Sequence, residues 1–322
     1  MIRRQRGIAL MTAILVVAIA TLAATALLVS SSIAVQRTGS LRDSEQAWWY
    51  AQGVEAWILG ILEKDAQDND FDGLGEPWAI PVSSLPVDEG TACGAISDLQ
   101  GRFNLNNLAA AGSVDYALQF KRLLANLPDS EAPPELAAAV RDWLDADDTP
   151  GMSGGAEDMA YLDRQPPYRA ANRLFTNVSE LLAVQGMTPE LYRMVAPLLA
   201  ALPRTGTPVN VNTAPEEVLR ALSDTVDSTK LQQFLEQRLA EPAKTVDEFI
   251  NKGILGADAP RTTLEVRSTF FLLQGSVFVG SGHVALYCSI FRPDPGKPLV
   301  FGRSTVPELP GSHPCATPST SS

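Results

Sequence analysis

The feature that most constrains this chain is an uncharged stretch near its N-terminus. No charged side chain occurs between Arg6 and Arg37, and the strongly apolar part of the stretch runs from Ile8 to Val29. About 20 apolar residues are enough for a helix to cross the hydrocarbon core of a bilayer. Three arginines precede the stretch. By the positive-inside rule they place the N-terminus in the cytoplasm and the rest of the chain on the other side of the membrane.

A cleaved secretory signal peptide is the alternative interpretation of this stretch. The apolar region of such a signal spans about 7–15 residues and ends at a cleavage site of small residues. Here the apolar region is longer, and helix-compatible sequence continues through Ser30–Gln36. We therefore predict a single retained transmembrane helix.

The helix is predicted to continue beyond the membrane, because apolar residues recur at three- and four-residue spacing after it. These residues are Leu41, Trp48, Ala51, Val54, Trp57, Ile58, Ile61 and Leu62. No proline or glycine interrupts residues 8–36. The pattern predicts one helix of roughly 55 residues, about 80 Å long, whose second half packs on a sheet.

Composition excludes several classes of function. The formal net charge of −12 argues against nucleic acid as the main partner, because such a surface repels phosphate backbones. Only two histidines are present, His283 and His313, which leaves little for histidine-based catalysis or zinc binding. No nucleophile is paired with a base, and no phosphate-binding loop is present. We predict that the protein is not an enzyme.

The three cysteines are widely spaced and form no CxxC pair. In an oxidising compartment this number predicts one disulfide and one remaining thiol. Cys288 ends an apolar run and Cys315 lies in a tail rich in proline and serine, so a bridge between them would pin the C-terminus. We favour the pair Cys288–Cys315, and the alternative is a disulfide that involves Cys93.

Strand-like segments lie on both sides of a long helical region. Runs of β-branched and aromatic residues predict strands at 78–82, 92–99, 102–105, 268–280, 283–293 and 298–302, with a hairpin at Gly280–Gly282. Between them alanine and leucine dominate. Helices are predicted there at Val114–Leu127, Pro134–Asp145, Ser179–Val184, Pro189–Leu202, Pro215–Leu222, Ser228–Leu239 and Val246–Ile250. The predicted fold class is α+β: a long N-terminal helix packed on an antiparallel sheet, with a large all-α domain inserted in the sheet domain.

The basic start that ends in Gly7, directly before the apolar helix, resembles the class III leader of type IV pilins and pseudopilins. The resemblance implies cleavage by prepilin peptidase between Gly7 and Ile8, followed by N-methylation of Ile8. Most members of that superfamily have glutamate at the fifth mature position, where this chain has Thr12. A carboxylate in a membrane needs a partner, which in pilin-type filaments is the amine of the subunit ahead. An uncharged residue therefore favours a subunit that has none ahead of it.

The whole chain resembles the pseudopilin K family of type II secretion. The resemblance implies a leader peptide (1–7), a membrane-spanning part (8–30), a pilin-like α/β domain (31–107 and 263–322) and an inserted helical domain related to SAM and helix-hairpin-helix modules (108–262). It implies a non-catalytic minor pseudopilin of the bacterial inner membrane, with its N-terminus in the cytoplasm and its body in the periplasm. Such a subunit nucleates the pseudopilus at its tip with minor pseudopilins I and J, for protein export across the outer membrane. Other pseudopilins, prepilin peptidase and the inner-membrane assembly platform are the further partners implied.

An acidic cluster lies inside the helical region, on a loop rich in glycine and proline. Calcium takes six to eight oxygen ligands in a flexible cage, and crowded carboxylates on such a loop fit that requirement. The run also resembles the pseudopilin K motif that carries Ca²⁺. The alternative is a solvated acidic loop. We predict a structural Ca²⁺ with Asp145, Asp147, Glu157 and Asp158 as ligands, and with Asp142 and Asp148 as further candidates.

An earlier loop, Asp68-x-Asp70-x-Asp72-Gly73, reproduces the first half of an EF-hand. It has Ala79 where the bidentate glutamate of an EF-hand would stand, although Glu76 lies at position 9 of the loop. This loop is a candidate for a second, weak calcium site, and the alternative is a surface linker.

Two other functions remain open from the sequence. One is a minor pilin of a type IV pilus with an adhesive or priming role. The other is a membrane-anchored DNA receptor, because VNVNTAPEEVLRAL (209–222) resembles a helix-hairpin-helix module. Those modules need a glycine-rich hairpin and basic residues, whereas SDTVDSTKLQQF follows here. We therefore predict a helix-packing module in which Asn210 and Asn212 make local turn hydrogen bonds.

Overall fold

The computed structural model describes residues 6–128, 132–151 and 154–307. Its first element is helix α1, Arg6–Asp68, which is about 95 Å long at 1.5 Å per residue. Every side chain from Ile8 to Arg42 is exposed, and this part contains an 18-residue window of mean hydropathy 2.5. An apolar helix without cover requires a bilayer or other helices around it. The predicted continuous helix, long and apolar enough to span a membrane, is confirmed.

The described residues contain nine strands after α1, five of which form one antiparallel sheet in the order β1-β2-β7-β8-β9. The strands are Val82–Val87 (β1), Gly90–Asp98 (β2), Phe103–Asn104 (β3), Leu199–Ala200 (β4), Val209–Asn210 (β5), Leu264–Glu265 (β6), Phe270–Val279 (β7), Gly282–Phe291 (β8) and Leu299–Ser304 (β9). One sheet face, here called the inner face, packs on α1 through a core that includes Ala51, Leu62, Phe271 and Cys288. The opposite face is called the outer face. The predicted α+β fold is confirmed.

The β7–β8 turn fixes which end of the sheet lies nearest the membrane-spanning part of α1. Asp43 Oδ2 accepts hydrogen bonds from the backbone N–H (2.8 Å) and hydroxyl (2.9 Å) of Ser281. Gly282 is required here, since a Cβ at this position would lie 2.6 Å from the Asp43 carbonyl oxygen. At the other end of the sheet, β2 ends at Asp98 and β7 begins at Phe270. The chain between them therefore leaves and re-enters the sheet at the end far from the membrane.

The inserted segment joins two strands that are direct neighbours, since Asp98 of β2 pairs with Phe271 of β7. Its seven α-helices in the described residues are Tyr116–Ala125 (α2), Leu136–Leu144 (α3), Asp158–Leu162 (α4), Pro189–Val195 (α5), Glu216–Ala221 (α6), Ser228–Gln237 (α7) and Val246–Asn251 (α8). It has a hydrophobic core of its own, which is separate from the core under α1. Phe103 and Val266 belong to this core, so the structural boundaries lie outside the predicted limits of 108 and 262.

The insertion consists of two modules that repeat one local arrangement. The first begins at β3 and closes with β4, the second begins at β5 and closes with β6, and each pair of short strands is parallel. In the first, the Asn106 amide exchanges hydrogen bonds with the backbone N–H (2.8 Å) and C=O (3.0 Å) of Phe175. In the second, Asn212 exchanges the same two bonds with Ala243, both at 2.9 Å. The insertion is thus mainly helical but not wholly so.

Asn210 and Asn212 were expected to make local turn hydrogen bonds, and one of their side-chain hydrogen bonds is of this kind. The Asn210 side chain accepts from the Asn212 backbone N–H at 3.0 Å, which is a local turn. Its amide nitrogen donates over long range, to the Asp98 carboxylate (2.9 Å), the Asp72 carbonyl (3.1 Å) and the Ser268 hydroxyl (2.9 Å). Asn210 thereby attaches the second module to the end of the sheet.

Two of the predicted elements differ from the structure. The strand predicted at 78–82 is not formed: Pro77–Ala79 is a short 3-10 helix that turns Trp78 into the core under α1, and a strand begins only at Val82. This strand, β1, is absent from the prediction; it contains Pro86, which is tolerated because β1 lies at the sheet edge. The predicted helix Pro189–Leu202 ends at Val195, and residues 196–198 continue as a 3-10 helix before β4.

The predicted disulfide Cys288–Cys315 is wrong. Cys288 is a free thiol on the inner face, fully buried under α1, where it donates to Glu55 Oε2 at 3.3 Å. Burial raises the pKa of this thiol to about 12. Cys93 is disulfide-bonded, and Cys315 lies outside the described residues.

Arg292, at the end of β8, joins four segments at the far end of the sheet. Its guanidinium donates to Asp65 Oδ2 on α1 (2.8 Å), to Asp72 Oδ1 and Oδ2 after α1 (2.6 and 2.5 Å), and to the Ser268 carbonyl at the end of the insertion (2.7 Å). The side chain is 3% exposed and lies over the Phe271 ring. Burial, with the nearby Glu76 and Asp72 carboxylates, raises the pKa of Asp65 to about 7.

We predict that Arg292→Met lowers the free energy of unfolding by about 3–5 kcal/mol, because it leaves two buried carboxylates without their counter-charge. Urea unfolding of the detergent-solubilised chain measures the change. Lys297→Met is the matched control: Lys297 pairs with Glu63 at 3.2 Å, but its side chain is 82% exposed. We expect the control to stay within about 0.5 kcal/mol. Equal losses in the two variants would contradict the role of Arg292.

Candidate metal centre and assembly elements

Three of the predicted calcium ligands converge in the first module of the insertion. Asp145 directly follows α3, and Glu157 directly precedes α4. The loop between the two helices brings these side chains and Asp147 together, so that one carboxylate oxygen from each lies within 4.8 Å of the others. The arrangement therefore depends on two helix ends that the core of the module holds in place.

Three oxygens of this group lack partners, whereas Asp147 Oδ1 accepts from the Thr149 backbone N–H at 2.8 Å. Both carboxylate oxygens of Glu157 and Oδ1 of Asp145 are buried and accept no hydrogen bond from the described residues. Glu157 is 3% exposed. Burial and the negative charges of Asp142 and its neighbours raise the pKa of Glu157 to about 7, and burial also raises the pKa of Asp145. A buried carboxylate without a partner is costly, and a bound cation would remove that cost. The donor set is all oxygen, which suits Ca²⁺.

Asp142 shapes the loop beneath this group. Its Oδ2 accepts from the Gly151 backbone N–H at 2.9 Å, and the side chain is 3% exposed. A Cβ at Gly155 would lie 1.9 Å from the same oxygen, so only glycine fits. Asp148 Oδ1 accepts from the Asn172 amide at 3.3 Å. The structure thus places these two candidates beside the converging group rather than in it.

Asp158, predicted as a ligand, does not join the group. Its Oδ1 accepts from the Ala170 backbone N–H at 3.0 Å, and its Oδ2 pairs with Arg169 at 3.2 Å. Both oxygens therefore have partners within the chain. Asp158 is the first residue of α4, and it directs its carboxylate to a different segment from Glu157.

Asn172 is a candidate ligand that sequence reasoning missed. Its amide nitrogen approaches the Asp147 carbonyl (3.5 Å) and the Asp148 carboxylate (3.3 Å). Its Oδ1 is buried and has no partner among the described residues. The backbone has φ +46°, a conformation in which asparagine is tolerated better than most residues. Asn172 is 14 residues beyond Asp158, so no local pattern links it to the cluster.

The carboxylates of the predicted second calcium site, Asp68, Asp70 and Asp72, do not converge. Asp72 lies instead with Asp65 and Glu76, and one carboxylate oxygen of each of these three is within 4.8 Å of the others. Asp72 is fully buried and bound to Arg292, whereas the Asp70 side chain is 94% exposed and pairs only with Arg267, at 3.4 Å. Asp68 is the exposed last residue of α1. The Glu76 carboxylate accepts from Asn69, Gly73 and Trp78. Arginine and hydrogen-bond donors thus occupy the carboxylates that a cation would need.

At the N-terminus, Thr12 meets its own hydrogen-bonding need within α1. Its hydroxyl lies 3.1 Å from the Ile8 carbonyl and 3.0 Å from the Ala9 carbonyl. A threonine at this position therefore requires no partner from another chain. Gly7 lies in the first turn of α1, and residues 1–5 are outside the described part of the chain. Cleavage between Gly7 and Ile8, with methylation of Ile8, stays a prediction.

In the region that resembles a helix-hairpin-helix module, carboxylates of the chain itself occupy backbone N–H groups that a phosphate would need. Asp227 caps α7 and accepts from Thr229 and Lys230 at 3.1 Å each. Asp258 accepts from the Asp224 backbone N–H at 2.7 Å. A phosphate would meet negative charge at this turn, so the geometry favours a packing role for the module.

Two protein-family models match the insertion. Both are described as type II secretion system (T2SS), protein K, and they match residues 101–204 and 209–267. The division between the matches falls between β4 and β5, where the first module of the insertion ends and the second begins.

Curated relatives match almost the whole chain. The type II secretion system protein K of Pseudomonas aeruginosa is 35% identical over 312 residues, which is 94% of this chain and 93% of the relative. The protein of the same name from Aeromonas hydrophila is 35% identical over 324 residues, covering 94% and 97% of the two chains.

One solved structure is similar to this chain both in fold and in sequence. A chain of the crystal structure of the GspK–GspI–GspJ complex from the enterotoxigenic Escherichia coli type 2 secretion system superposes with a TM-score of 0.74 and 29% identity. The match covers 83% of this chain and 98% of that one. Family models, relatives and fold agree, and the chain belongs to the type II secretion system protein K family of minor pseudopilins.

Proposed function

We propose that this protein is a non-catalytic subunit at the tip of the type II secretion pseudopilus, where it nucleates assembly with minor pseudopilins I and J for export across the outer membrane. The position of the insertion is the observation that carries the proposal. Residues 99–269 leave and re-enter the sheet at the end far from the membrane. A subunit stacked beyond this one would meet the insertion before it could reach the sheet or α1.

The N-terminal helix supplies the second support. Its exposed apolar part suits an inner-membrane anchor, and the three arginines before it support a cytoplasmic N-terminus and a periplasmic body. Before assembly this segment would be the substrate of prepilin peptidase and would meet the inner-membrane assembly platform. After assembly it would bundle with the helices of the other pseudopilins.

The partners proposed are pseudopilins I and J, because the similar solved structure is a complex of GspK with GspI and GspJ. Beyond the membrane-spanning part, α1 still exposes large apolar side chains: Leu41 is 69%, Trp49 66% and Trp57 46% exposed. Such a patch on a folded body indicates a protein interface. We propose that the helices of I and J cover it.

We predict that the detergent-solubilised chain forms a ternary complex with full-length pseudopilins I and J, seen by size-exclusion chromatography with light scattering. Trp49→Glu should weaken the complex at least tenfold, since burial of a large aromatic side chain contributes more than about 1.4 kcal/mol. Leu239→Glu is the control, because Leu239 is similarly exposed (61%) but lies on the insertion. Failure to form any ternary complex would refute the assignment of partners.

Thr12 supports the tip position because it leaves no charge in the membrane that a preceding subunit must neutralise. We predict that Thr12→Glu reduces the amount of assembled pseudopilus in cells, since the new carboxylate would lie in the bilayer at a cost of roughly 2.5–3.5 kcal/mol. Thr12→Gln serves as the control, because glutamine has the size of glutamate but carries no charge. Pseudopili are counted after shearing, with the membrane level of the protein measured in parallel. Equal assembly with glutamate and glutamine would contradict the proposal.

The proposed cofactor is one structural Ca²⁺ in the first module, held by Asp145, Asp147 and Glu157, with the oxygen of Asn172 as a further candidate. The support is the set of buried oxygens without partners on Asp145, Glu157 and Asn172, together with the convergence of Asp147 on the first two. When bound, the cation would join the end of α3 to the start of α4 and thereby order the loop between them.

We predict that excess Ca²⁺ raises the melting temperature relative to EGTA, since a ligand at 100 times its Kd stabilises the folded state by about 2.7 kcal/mol. Glu157→Gln should abolish the rise by removing a charged ligand. Asp158→Asn is the matched control and should keep it, because Asp158 has its own partners. Equal melting temperatures of the unsubstituted protein in Ca²⁺ and in EGTA would show that the proposed calcium site is wrong.

A further inference from the structure

The two described cysteines lie on opposite faces of the sheet. On β2, Ala92 and Ile96 belong to the core under α1, so Cys93 has the opposite orientation and lies on the outer face, where it pairs with Ser276. Cys93 is disulfide-bonded, and Cys288 is a free thiol on the inner face. The chain has three cysteines. The sulfur available to Cys93 within the chain is therefore that of Cys315.

A groove of about 550 Å³ lies on the same outer face, between the sheet and the first module. Leu272, Tyr287 and Phe301 line it from the sheet, and Leu182 lines it from the insertion. Its rim is formed by residues 306 and 307, where the described part of the chain ends. The C-terminal segment thus begins at this groove.

Two polar groups on the outer face lack partners. Tyr287 is 4% exposed, and its hydroxyl has no hydrogen-bond partner among the described residues. The Ser97 hydroxyl is in the same situation. Both side chains are on the face that carries Cys93, since Tyr287 pairs with Gln274 and Ser97 with Leu272. A chain segment with free backbone N–H and C=O groups could supply the missing bonds.

The distances allow the C-terminal segment to reach Cys93. Strands β9 and β2 are separated by β8 and β7, so the crossing is about 14 Å at the usual spacing of strands. The eight residues after Pro307, which end with Cys315, can span up to about 26 Å. Strand β9 runs toward the β7–β8 turn, which is the direction of Cys93. Pro307, Pro310 and Pro314 stiffen the segment and lower the entropy lost on docking.

We propose that residues 308–315 form a strap that crosses the outer face from β9 to β2, docks in the groove and is fastened by a disulfide between Cys93 and Cys315. In forming it, the two thiols lose two protons and two electrons to an oxidising protein disulfide, which is reduced to a dithiol. The strap covers the Tyr287 hydroxyl and seals the seam between the sheet and the first module. The groove is then a site for the chain's own C-terminus.

The first test is peptide mapping of the unreduced full-length protein after trypsin digestion. The strap predicts a disulfide-linked pair of peptides, 65–102 and 304–322, that separates on reduction. Cys288→Ala should leave the pair unchanged, and Cys93→Ala should abolish it. A Cys93 that is unlinked, or linked to another chain, would overturn the proposal.

The second test separates a docked strap from a loose tether. In Cys315→Ala, hydrogen exchange of β8 amides around Tyr287 should accelerate, and the melting temperature should fall by roughly 5 °C or more. Cys93→Ala should have the same effect, and the double variant should add little to either. Ser321→Ala, beyond the strap, is the control. A linked peptide pair with unchanged exchange at Tyr287 would show a tether without docking and would overturn the strap.

Discussion

One buried guanidinium determines how the two parts of this protein are held together. Arg292 contacts a carboxylate on α1, a second carboxylate in the loop after it, and the Ser268 carbonyl, two residues before β7 begins. Buried ion pairs contribute little over well-packed apolar residues, but the loss of one partner is strongly destabilising. Arg292 therefore acts mainly through specificity, because it can bond to both carboxylates and to the Ser268 carbonyl only when α1, the loop after it and the end of the insertion take one arrangement around β8.

The fixed position of the insertion determines which surfaces of the protein are available for assembly into a filament. Two surfaces of such a subunit can contact other subunits: the N-terminal helix, and the end of the body far from the membrane. Here the distal end is occupied by a domain with a core of its own, attached through Arg292 and Asn210. One side of helix α1, in contrast, exposes large apolar side chains from the membrane-spanning part up to Trp57. This arrangement supports the proposed tip position, because neighbours can pack beside α1 while the insertion stands at the distal end.

The sequence was sufficient for the features that depend on periodicity and composition. These include the single helix through the membrane, the sheet that packs on it, and the convergence of Asp145, Asp147 and Glu157, which share one loop. The sequence was insufficient where contacts between distant segments determine the partners or the orientation of a side chain. Nothing local distinguishes Asp158 from Glu157, yet Ala170 and Arg169 occupy its oxygens. Asn172, whose amide nitrogen approaches Asp147 and Asp148, comes from a separate segment. The orientation of Cys288 toward α1 depends on strand register, which spacing between cysteines does not reveal.

The adjacency of β2 and β7 has a consequence for the order of folding. Their pairing closes a loop of residues 99–269, and the entropy cost of closure grows with the length of free chain between the ends. A folded insertion brings Asp98 and Phe270 together in advance, so the loop to be closed becomes short. We therefore expect the insertion to fold before β2 pairs with β7, while α1 is already in the membrane. The distal domain is then the nucleus on which the proximal sheet is completed.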